Sequence, residues 1–300
     1  MVIQSLSIVV PTYGCINQCK FCVSRMHKEE YVNLYSKMAL SEFKKLYMNR
    51  MAFARDNGCN TVMLTGQGEP QQNMEFLGFF SEMNSELAMP FRNIEIQTTG
   101  VRFDEITFLK LREIGVTTVS ISVSCLNDNG INSDIINGGK TLVDLRRFCS
   151  KVKEYGMNLR LSLNMTRWLF VKDKSPSTYP SHEEIFRYCS EVLGADQVTF
   201  RKMYTNSNSE YSEQSEWLNK NCLQYDNDWF KELNSYISLN GRYLDTLEYG
   251  SKRYSIKGMS VVVDEDCMAK SEEKKTLKYL ILRPNCKLYT QWDDKGSLLF

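Results

Sequence analysis

Short apolar runs rich in β-branched residues alternate along the chain with segments whose apolar positions recur every three to four residues. The runs predict six strands, at 6–10, 61–64, 93–96, 117–123, 158–163 and 197–200. The segments between them predict helices, the first with Ser41 as its N-cap and a stop at 56–58, the others at about 74–88, 104–114, 141–155 and 181–193. Gly115 and Gly156 follow two of these helices where a left-handed residue ends a helix.

Strict alternation of strand and helix predicts the α/β class, with a parallel sheet that is closed or partly closed as a barrel. The active edge of such a sheet lies at the carboxyl ends of its strands. Four long connections, at 11–39, 124–140, 165–180 and 201–227, fall on that edge. The Asn- and Ser-rich stretch 205–221 within the last of them is either a linker or a lid over the site.

The alternation ends near residue 228, where strands at 260–263, 279–283 and 287–291 predict a small C-terminal extension. We therefore expect a partial barrel over 1–227 and an extension over 228–300 that closes the substrate site.

The overall charge limits the classes of partner. The 300 residues include 37 Lys plus Arg and 36 Asp plus Glu, a net charge of +1, which argues against binding to duplex nucleic acid. No apolar stretch approaches the roughly 18 residues that a membrane span needs. The N-terminus lacks the basic and apolar regions of a signal peptide, which predicts a cytoplasmic protein. Ten cysteines are many for such a chain, because disulfides rarely persist in the cytosol.

Three of these cysteines, Cys15, Cys19 and Cys22, form a C-x3-C-x2-C array directly after the first strand. A zinc site would need a fourth ligand, and neither His27 nor His182 stands at a suitable spacing. A disulfide would leave one thiol over. An iron–sulfur cluster fits better, and three ligands for four irons would leave one iron open for catalysis.

The array resembles the signature of the radical S-adenosylmethionine (SAM) superfamily. A second likeness lies after the second strand, where Thr65-Gly66-Gln67-Gly68-Glu69-Pro70 is similar to the Gly-Gly-Glu-Pro motif of that family, with Gln67 inserted. The resemblance covers roughly residues 5 to 202. It implies the partial (β/α)6 barrel, a [4Fe-4S] cluster and SAM as cofactors, and an external electron donor such as flavodoxin or ferredoxin. It also implies cleavage of SAM to a 5′-deoxyadenosyl radical that abstracts hydrogen from a substrate.

The residues expected to contact SAM come from this loop and from the strand ends. Gly lets the backbone approach SAM, and Glu69 can accept from its ammonium group. By resemblance, Phe21 packs on the adenine, while Ser122 and Ser124 contact ribose or carboxylate. Arg201 ends the sixth strand and can hold a carboxylate. Asn164 and Thr98 also end strands, although a loop-capping role is an open alternative for them.

The other seven cysteines are isolated, so we expect no auxiliary cluster and read them mostly as core residues. Cys125 and Cys286 follow a strand and a turn, and a functional role stays open for both. In dual-cysteine RNA methylases of the superfamily, a cysteine near the C-terminus carries a methyl group.

The substrate is expected to be a small molecule, because the extension and the long loops supply pocket walls. The short N-terminal array, Ile94-Glu95-Ile96-Gln97-Thr98-Thr99-Gly100 and an extension ending Leu282-Arg283-Pro284-Asn285-Cys286-Lys287-Leu288-Tyr289 together resemble a subgroup of clostridial enzymes that act on queuine. That resemblance implies, as the best specific expectation, a queuine lyase of queuosine-precursor salvage, which releases 7-aminomethyl-7-deazaguanine. The alternatives are an activase of glycyl-radical enzymes, modification of another nucleoside-like metabolite, and a cluster-based sensor without turnover. Candidate substrate contacts are polar or aromatic groups on the rim or the extension, namely Tyr13, His27, Trp168, Tyr204, Asp226, Trp229 and Trp292.

Overall fold

The fold is an α/β sheet with helices on its outer face. The computed structural model describes residues 2–26, 31–171, 179–204, 213–222, 228–265, 276–292 and 294–300. In chain order the elements are β1 (Val2–Val10), α1 (Val23–Met26), α2 (Leu40–Asp56), β2 (Thr61–Gly66), α3 (Met74–Ser85), β3 (Asn93–Thr98), α4 (Glu105–Ile114), β4 (Thr118–Val123), α5 (Asn129–Asn137), α6 (Leu145–Glu154), β5 (Asn158–Asn164), α7 (His182–Arg187), β6 (Gln197–Arg201), α8 (Glu213–Asn221), α9 (Asp228–Asn240), β7 (Arg242–Thr246), β8 (Lys252–Ile256), β9 (Met259–Asp264), β10 (Thr276–Leu282) and β11 (Leu288–Tyr289). Short 3-10 turns cover Pro70–Asn73 and Lys295–Ser297, and a π-helical turn, Tyr188–Val192, continues α7.

All six strands expected in the first two thirds of the chain are confirmed, with ends that differ by a few residues. Two helix starts differ from the expectation. Helix α2 begins at Leu40 with Ala39 as its N-cap, so the N-cap assignment of Ser41 is wrong. Helix α6 begins at Leu145 and not near 141, because the Asp144 side chain accepts from the Arg147 amide and caps it there.

Three of the predicted connections contain helices that the sequence pattern did not indicate, the shortest being α1 in the connection at 11–39. Helix α5 lies between β4 and α6, and the Asp128 side chain caps it by accepting from the Ile131 amide. Helix α8 occupies the second half of the stretch at 205–221, and its Leu218 is fully buried against Met26 and Met203. That half is therefore packed onto the protein, which a free linker would not be, while 205–212 lie outside the described residues.

The sheet has the strand order β11-β10-β1-β2-β3-β4-β5-β6-β9-β8-β7. Every pair from β10 through β1–β6 to β9 is parallel, which gives eight neighbouring parallel strands. The expected strands after residue 228 are present, but they extend both edges of the main sheet and do not form a sheet of their own. Strand β10 pairs with β1, and β9 pairs with β6. The division into two domains at residue 227 stays a prediction.

The two ends of the parallel run come together through side chains. Lys278 on β10 places its Nζ 2.5 Å from Asp264 Oδ1 on β9. Nearby, the Tyr249 amide after β7 donates to Gln4 Oε1 on β1, at 3.1 Å. The described strands β9 and β10 share no main-chain ladder, so we call this junction the seam of the barrel.

The two faces of the curved sheet have different chemistry. The outer face packs apolar side chains such as Ile8, Leu64 and Ile121 against the helices in one large core. The inner face carries hydroxyls from alternate positions, including Ser7 and Ser162, because successive strand residues point to opposite sides. The fold therefore encloses a polar interior. Among the described residues, no helix is both long and apolar enough to cross a membrane.

Candidate active site

A cavity of about 550 Å³ fills the interior of the curved sheet. It extends from the cysteine loop at the carboxyl ends of the strands down to the turn after β7. Most of the residues expected to bind cofactor line it, as do two of the expected substrate contacts: Cys15, Cys19, Phe21, Cys22, Gly66, Gln67, Gly68, Glu69, Thr98, Ser122, Asn164, Arg201, Tyr204 and Trp292. The structure thus brings together groups that lie far apart in sequence.

The cysteine loop begins after β1 and is held from below by α5. The Gln18 amide donates to the Ile136 carbonyl at 2.9 Å, and the Lys20 amide donates to the Ile135 carbonyl at 3.0 Å. The third cysteine leads into α1, where the Cys22 carbonyl accepts from the Met26 amide at 3.2 Å. The loop is therefore fixed by main-chain bonds at several points.

The thiol environment fits an iron–sulfur cluster. Burial raises the pKa of Cys15, and burial raises the pKa of Cys19 well above its usual value. Such thiols stay protonated on their own, and bonding to a positively charged iron is what would deprotonate them. Within the described ranges, no three His, Cys, Asp or Glu side chains lie close enough to hold a single metal ion. Three soft thiol donors from one loop suit a cluster with several irons.

Glu69 is the hydrogen-bonding centre beneath this loop, with only 6% of its surface exposed. Its Oε1 accepts from Asn17 Nδ2 at 2.8 Å and from the Thr99 hydroxyl at 2.9 Å. Its Oε2 accepts from the Thr98 hydroxyl at 2.5 Å and from Gln71 Nε2 at 3.0 Å. Both carboxylate oxygens are thus occupied by donors of the chain itself, which differs from the expected contact with the SAM ammonium group. The side chain ties the cysteine loop to the ends of β2 and β3.

The two glycines beside Glu69 are required by close chain approach. A Cβ on Gly68 would lie 2.5 Å from Thr12 Oγ1 and 2.7 Å from the Gly14 carbonyl oxygen. A Cβ on Gly66 would lie 2.9 Å from the Val10 carbonyl oxygen. Real Cβ atoms do not approach backbone oxygens so closely, so a side chain on Gly68 would push the cysteine loop away and one on Gly66 would push the end of β1 away. The glycines let β2 and this loop meet.

Polar side chains at the ends of β4, β5 and β6 form the opposite wall. Asn164 is 1% exposed, and its Nδ2 donates to Ser122 Oγ at 3.2 Å and to Ser124 Oγ at 3.0 Å. Ser124 is fully buried and does not line the cavity, so its role is to hold the Asn164 amide. Arg201 lines the cavity with a buried Nε that has no hydrogen-bond partner among the described residues. Such a cation is suited to bind a carboxylate.

Helix α8 covers one side of the cysteine loop with a small apolar cluster. Phe21 lies 6.4 Å from the ring of Trp217, measured between ring centroids, and Tyr204 packs against the same cluster. Trp217 did not enter the sequence prediction, because it lies in the polar stretch read as linker or lid.

Several expected substrate contacts lie elsewhere. Tyr13 is 95% exposed on the cysteine loop. Trp168 donates from Nε1 to Asn221 Oδ1 at 2.7 Å and fastens α8. Trp229 packs among aromatic rings, 4.3 Å from His182 and 4.9 Å from Phe170, between centroids. None of these three lines the cavity, because each is engaged in other packing or faces solvent. His27 and Asp226 lie outside the described residues.

The two isolated cysteines left open by the sequence are packed in the interior. Cys125 is fully buried, and burial raises its pKa to about 11. Cys286 is 4% exposed in the main apolar core, and burial raises its pKa to about 11 as well. Neither thiol lines the cavity. Both are therefore placed as core residues away from the cavity.

The charged groups inside the barrel were not predicted from the sequence. Glu95 on β3 pairs with Arg160 on β5, whose Nε also donates to Gln197 Oε1 at 2.7 Å. Asp264 and Lys278 pair across the seam, each with a side chain 13% exposed. Alternation along the strands was the available signal, since these residues occupy inward positions, but it does not show which strands become neighbours.

The comparisons with known proteins agree with this geometry. The sequence model of the Radical SAM superfamily matches residues 9–169. The fold is similar to that of SuiB from Streptococcus suis bound to S-adenosylmethionine, with 15% identity, a TM-score of 0.55, and 96% of this chain and 60% of that chain covered. The chain thus spans 60% of the length of SuiB. It is also similar to native anSMEcpe with bound AdoMet, with 15% identity, a TM-score of 0.56, and 99% and 77% of the two chains covered. A further similar structure is native anSMEcpe with bound AdoMet and the Cp18Cys peptide, with 15% identity, a TM-score of 0.54, and 98% and 75% covered. No curated protein sequence matches the chain significantly.

Proposed function

Because the chain belongs to the radical SAM superfamily, we propose that its cavity holds SAM beside a [4Fe-4S] cluster and a small polar substrate beneath them. In this superfamily the reduced cluster and SAM supply a 5′-deoxyadenosyl radical that abstracts hydrogen from the substrate. Cys15, Cys19 and Cys22 would hold the cluster, since they are the soft donors that one loop presents to one cavity.

The residues around the loop suit the binding of SAM. The backbone of Gly66, Gln67 and Gly68 lines the cavity next to the cysteines and offers carbonyl acceptors to an ammonium group. Arg201 would hold the carboxylate, because its guanidinium makes no ion pair with a described residue. Asn164, oriented by the two serines, would bind the ribose or the carboxylate. Glu69 would act indirectly, by holding Asn17 and the cysteine loop in place.

The enclosed polar interior below these residues is the main support for a small-molecule substrate. It is lined by fixed ion pairs and strand hydroxyls, which suit a compact molecule with both hydrogen-bond donors and acceptors. A 7-deazaguanine base has this character, so queuine is the specific substrate proposed. The reaction would be a lyase reaction that releases 7-aminomethyl-7-deazaguanine.

The test is anaerobic incubation of the reconstituted, reduced protein with SAM, with and without queuine. We expect 5′-deoxyadenosine to form in a queuine-dependent manner, together with 7-aminomethyl-7-deazaguanine. The Cys19→Ala variant should lose both products, whereas Cys222→Ala, which changes a partly buried cysteine outside the array, should retain them. If wild-type protein forms 5′-deoxyadenosine at the same rate without queuine and releases no shorter base, queuine is not the substrate.

A further inference from the structure

The seam between β9 and β10 places a buried ion pair inside the cavity. The pair joins Asp264 Oδ1 to Lys278 Nζ at 2.5 Å, and both residues line the cavity. Main-chain pairing does not join the described parts of these two strands, so the pair is a side-chain link across their junction. Burying two charges costs free energy unless both make good hydrogen bonds and ion pairs. A buried ion pair is therefore an unusual choice if its only role is to hold two strands together.

The pair joins the carboxyl end of β9 to the part of β10 that lies beside the start of β1. Asp264 is the register partner of Arg201 on β6, so the two side chains lie on the same face of adjacent strands. Asp264 nevertheless pairs with Lys278 from across the seam. The other ion pair in the cavity, Glu95 with Arg160, differs. Glu95 also accepts from Gln97 Nε2 at 3.5 Å, and Arg160 also donates to Gln197 Oε1 at 2.7 Å.

An aromatic wall stands beside the same strand. Tyr279 follows Lys278 on β10, so the two side chains leave opposite faces of the strand. The Tyr279 ring lies 6.3 Å from Trp292, between ring centroids, while the Lys278 ammonium reaches Asp264 across the seam. Both rings line the cavity, as does Arg283, whose guanidinium lies 3.8 Å from the centroid of Tyr31. Flat rings of this kind give a surface on which a planar molecule can stack.

Together these features match the edge of a guanine-type base. Such an edge presents two neighbouring N–H donors and, beside them, a carbonyl acceptor. A carboxylate can accept from both donors at once, and an ammonium group with three protons can donate to the carbonyl without giving up its partner. We propose that Asp264 and Lys278 form a specificity-determining pair that reads the amino and carbonyl edge of a planar base, which stacks on the wall of Tyr279 and Trp292. This inference rests on the proposed function for the class of substrate, but it concerns binding and not turnover.

The experiment compares two ligands that differ only in the exocyclic amine. Binding of 7-deazaguanine and of 7-deazahypoxanthine to the SAM-loaded, cluster-containing protein is measured by calorimetry. We expect wild type to bind 7-deazaguanine about tenfold or more tightly than 7-deazahypoxanthine, because an unmatched carboxylate acceptor is costly. In Asp264→Asn, the amide can accept from only one of the two donors, so the preference should fall to about threefold or less.

The matched control is Glu82→Gln, which changes an exposed partner of the Lys44 pair and should leave the preference intact. If Asp264→Asn does not fold, the double variant Asp264→Asn/Lys278→Met removes both charges together and is measured in the same way. A merely structural role would lower the melting temperature but keep the preference for the amine. The inference is overturned if wild type binds both ligands equally or binds neither, or if the variant keeps the wild-type preference.

The two proposals fail in different ways. If wild type does not turn over queuine but still prefers 7-deazaguanine, the proposed lyase reaction is wrong and the proposed role of Asp264 and Lys278 stands. If wild type turns over queuine but Asp264→Asn keeps the wild-type preference for 7-deazaguanine, only the proposed role of Asp264 and Lys278 is wrong.

Discussion

Replacing Glu69 by glutamine tests whether this side chain holds the cysteine loop. All side-chain groups that contact its carboxylate are donors, from Asn17, Gln71, Thr98 and Thr99. The glutamine amide would place its two N–H donors opposite some of these donors, so donor would face donor. Gln71 cannot simply turn its amide over, because its Nε2 also donates to the Val101 carbonyl at 3.0 Å. The less costly arrangement reverses the amide of Asn17, whose Oδ1 is buried without a partner.

The magnitude follows from the loss of charge on the acceptor. Hydrogen bonds to a charged group contribute about 1 kcal/mol more than neutral ones, and four side-chain bonds are affected. With partial compensation by the reversed Asn17 amide, we expect Glu69→Gln to lower the free energy of unfolding by about 2 to 4 kcal/mol. Since Asn17 lies between the first two cysteines, the cluster content should fall as well.

The assay is urea unfolding of the cluster-free protein, followed by far-ultraviolet circular dichroism, with iron content measured separately after reconstitution. The control Glu82→Gln removes a carboxylate that is half exposed, and it should change stability by about 0.5 kcal/mol or less. If Glu69→Gln unfolds at the wild-type urea concentration and takes up a full complement of iron, the carboxylate is not the fastening described above.

Three further substitutions test separate parts of the site. Gly68→Ala puts a Cβ 2.5 Å from Thr12 Oγ1 and 2.7 Å from a backbone oxygen, so iron content after reconstitution should fall by half or more, whereas Gly78→Ala, with open space around its Cβ, should match wild type. Arg201→Gln removes the cation assigned to the SAM carboxylate, and the Kd for SAM measured by calorimetry should rise about tenfold or more; an unchanged Kd would refute that assignment. Cys286→Ala should keep wild-type formation of 5′-deoxyadenosine and lose about 1 kcal/mol of stability, because this thiol packs in the core; loss of activity in a stable variant would give it a chemical role.

The parts of the fold that were predictable are those with a local signal. Strand β4 is a run of β-branched and small residues, and Gly115 ends α4 at φ 91° as its position indicated. The three cysteines and the motif at 65–70 also have a local signal, since both are short stretches of chain, and the structure brings them to one cavity.

The parts that were not predictable depend on which strands become neighbours. The pattern identified strands near 260–263 and 279–283, but a strand of five residues carries no information about the edge it will join. Strands β9 and β10 pair with β6 and β1, and only that pairing brings Asp264 to Lys278. The role of Glu69 was missed because its donors come from the cysteine loop and from β3, which are distant in sequence.

The residues proposed for cofactor binding and those proposed for substrate recognition come from separate parts of the chain. The cysteines, the glycine motif and the ends of β2–β6 all precede residue 202, while Asp264, Lys278, Tyr279 and Trp292 come from the last 40 residues. In a barrel closed by main-chain hydrogen bonds, the seam would be held by backbone N–H and C=O groups, which do not depend on the sequence. A seam bridged by side chains depends on which side chains are present, so substitutions there can change the substrate while the cofactor end is preserved. On this argument, exchanging residues 259–292 between related chains should transfer the choice of substrate without impairing SAM binding.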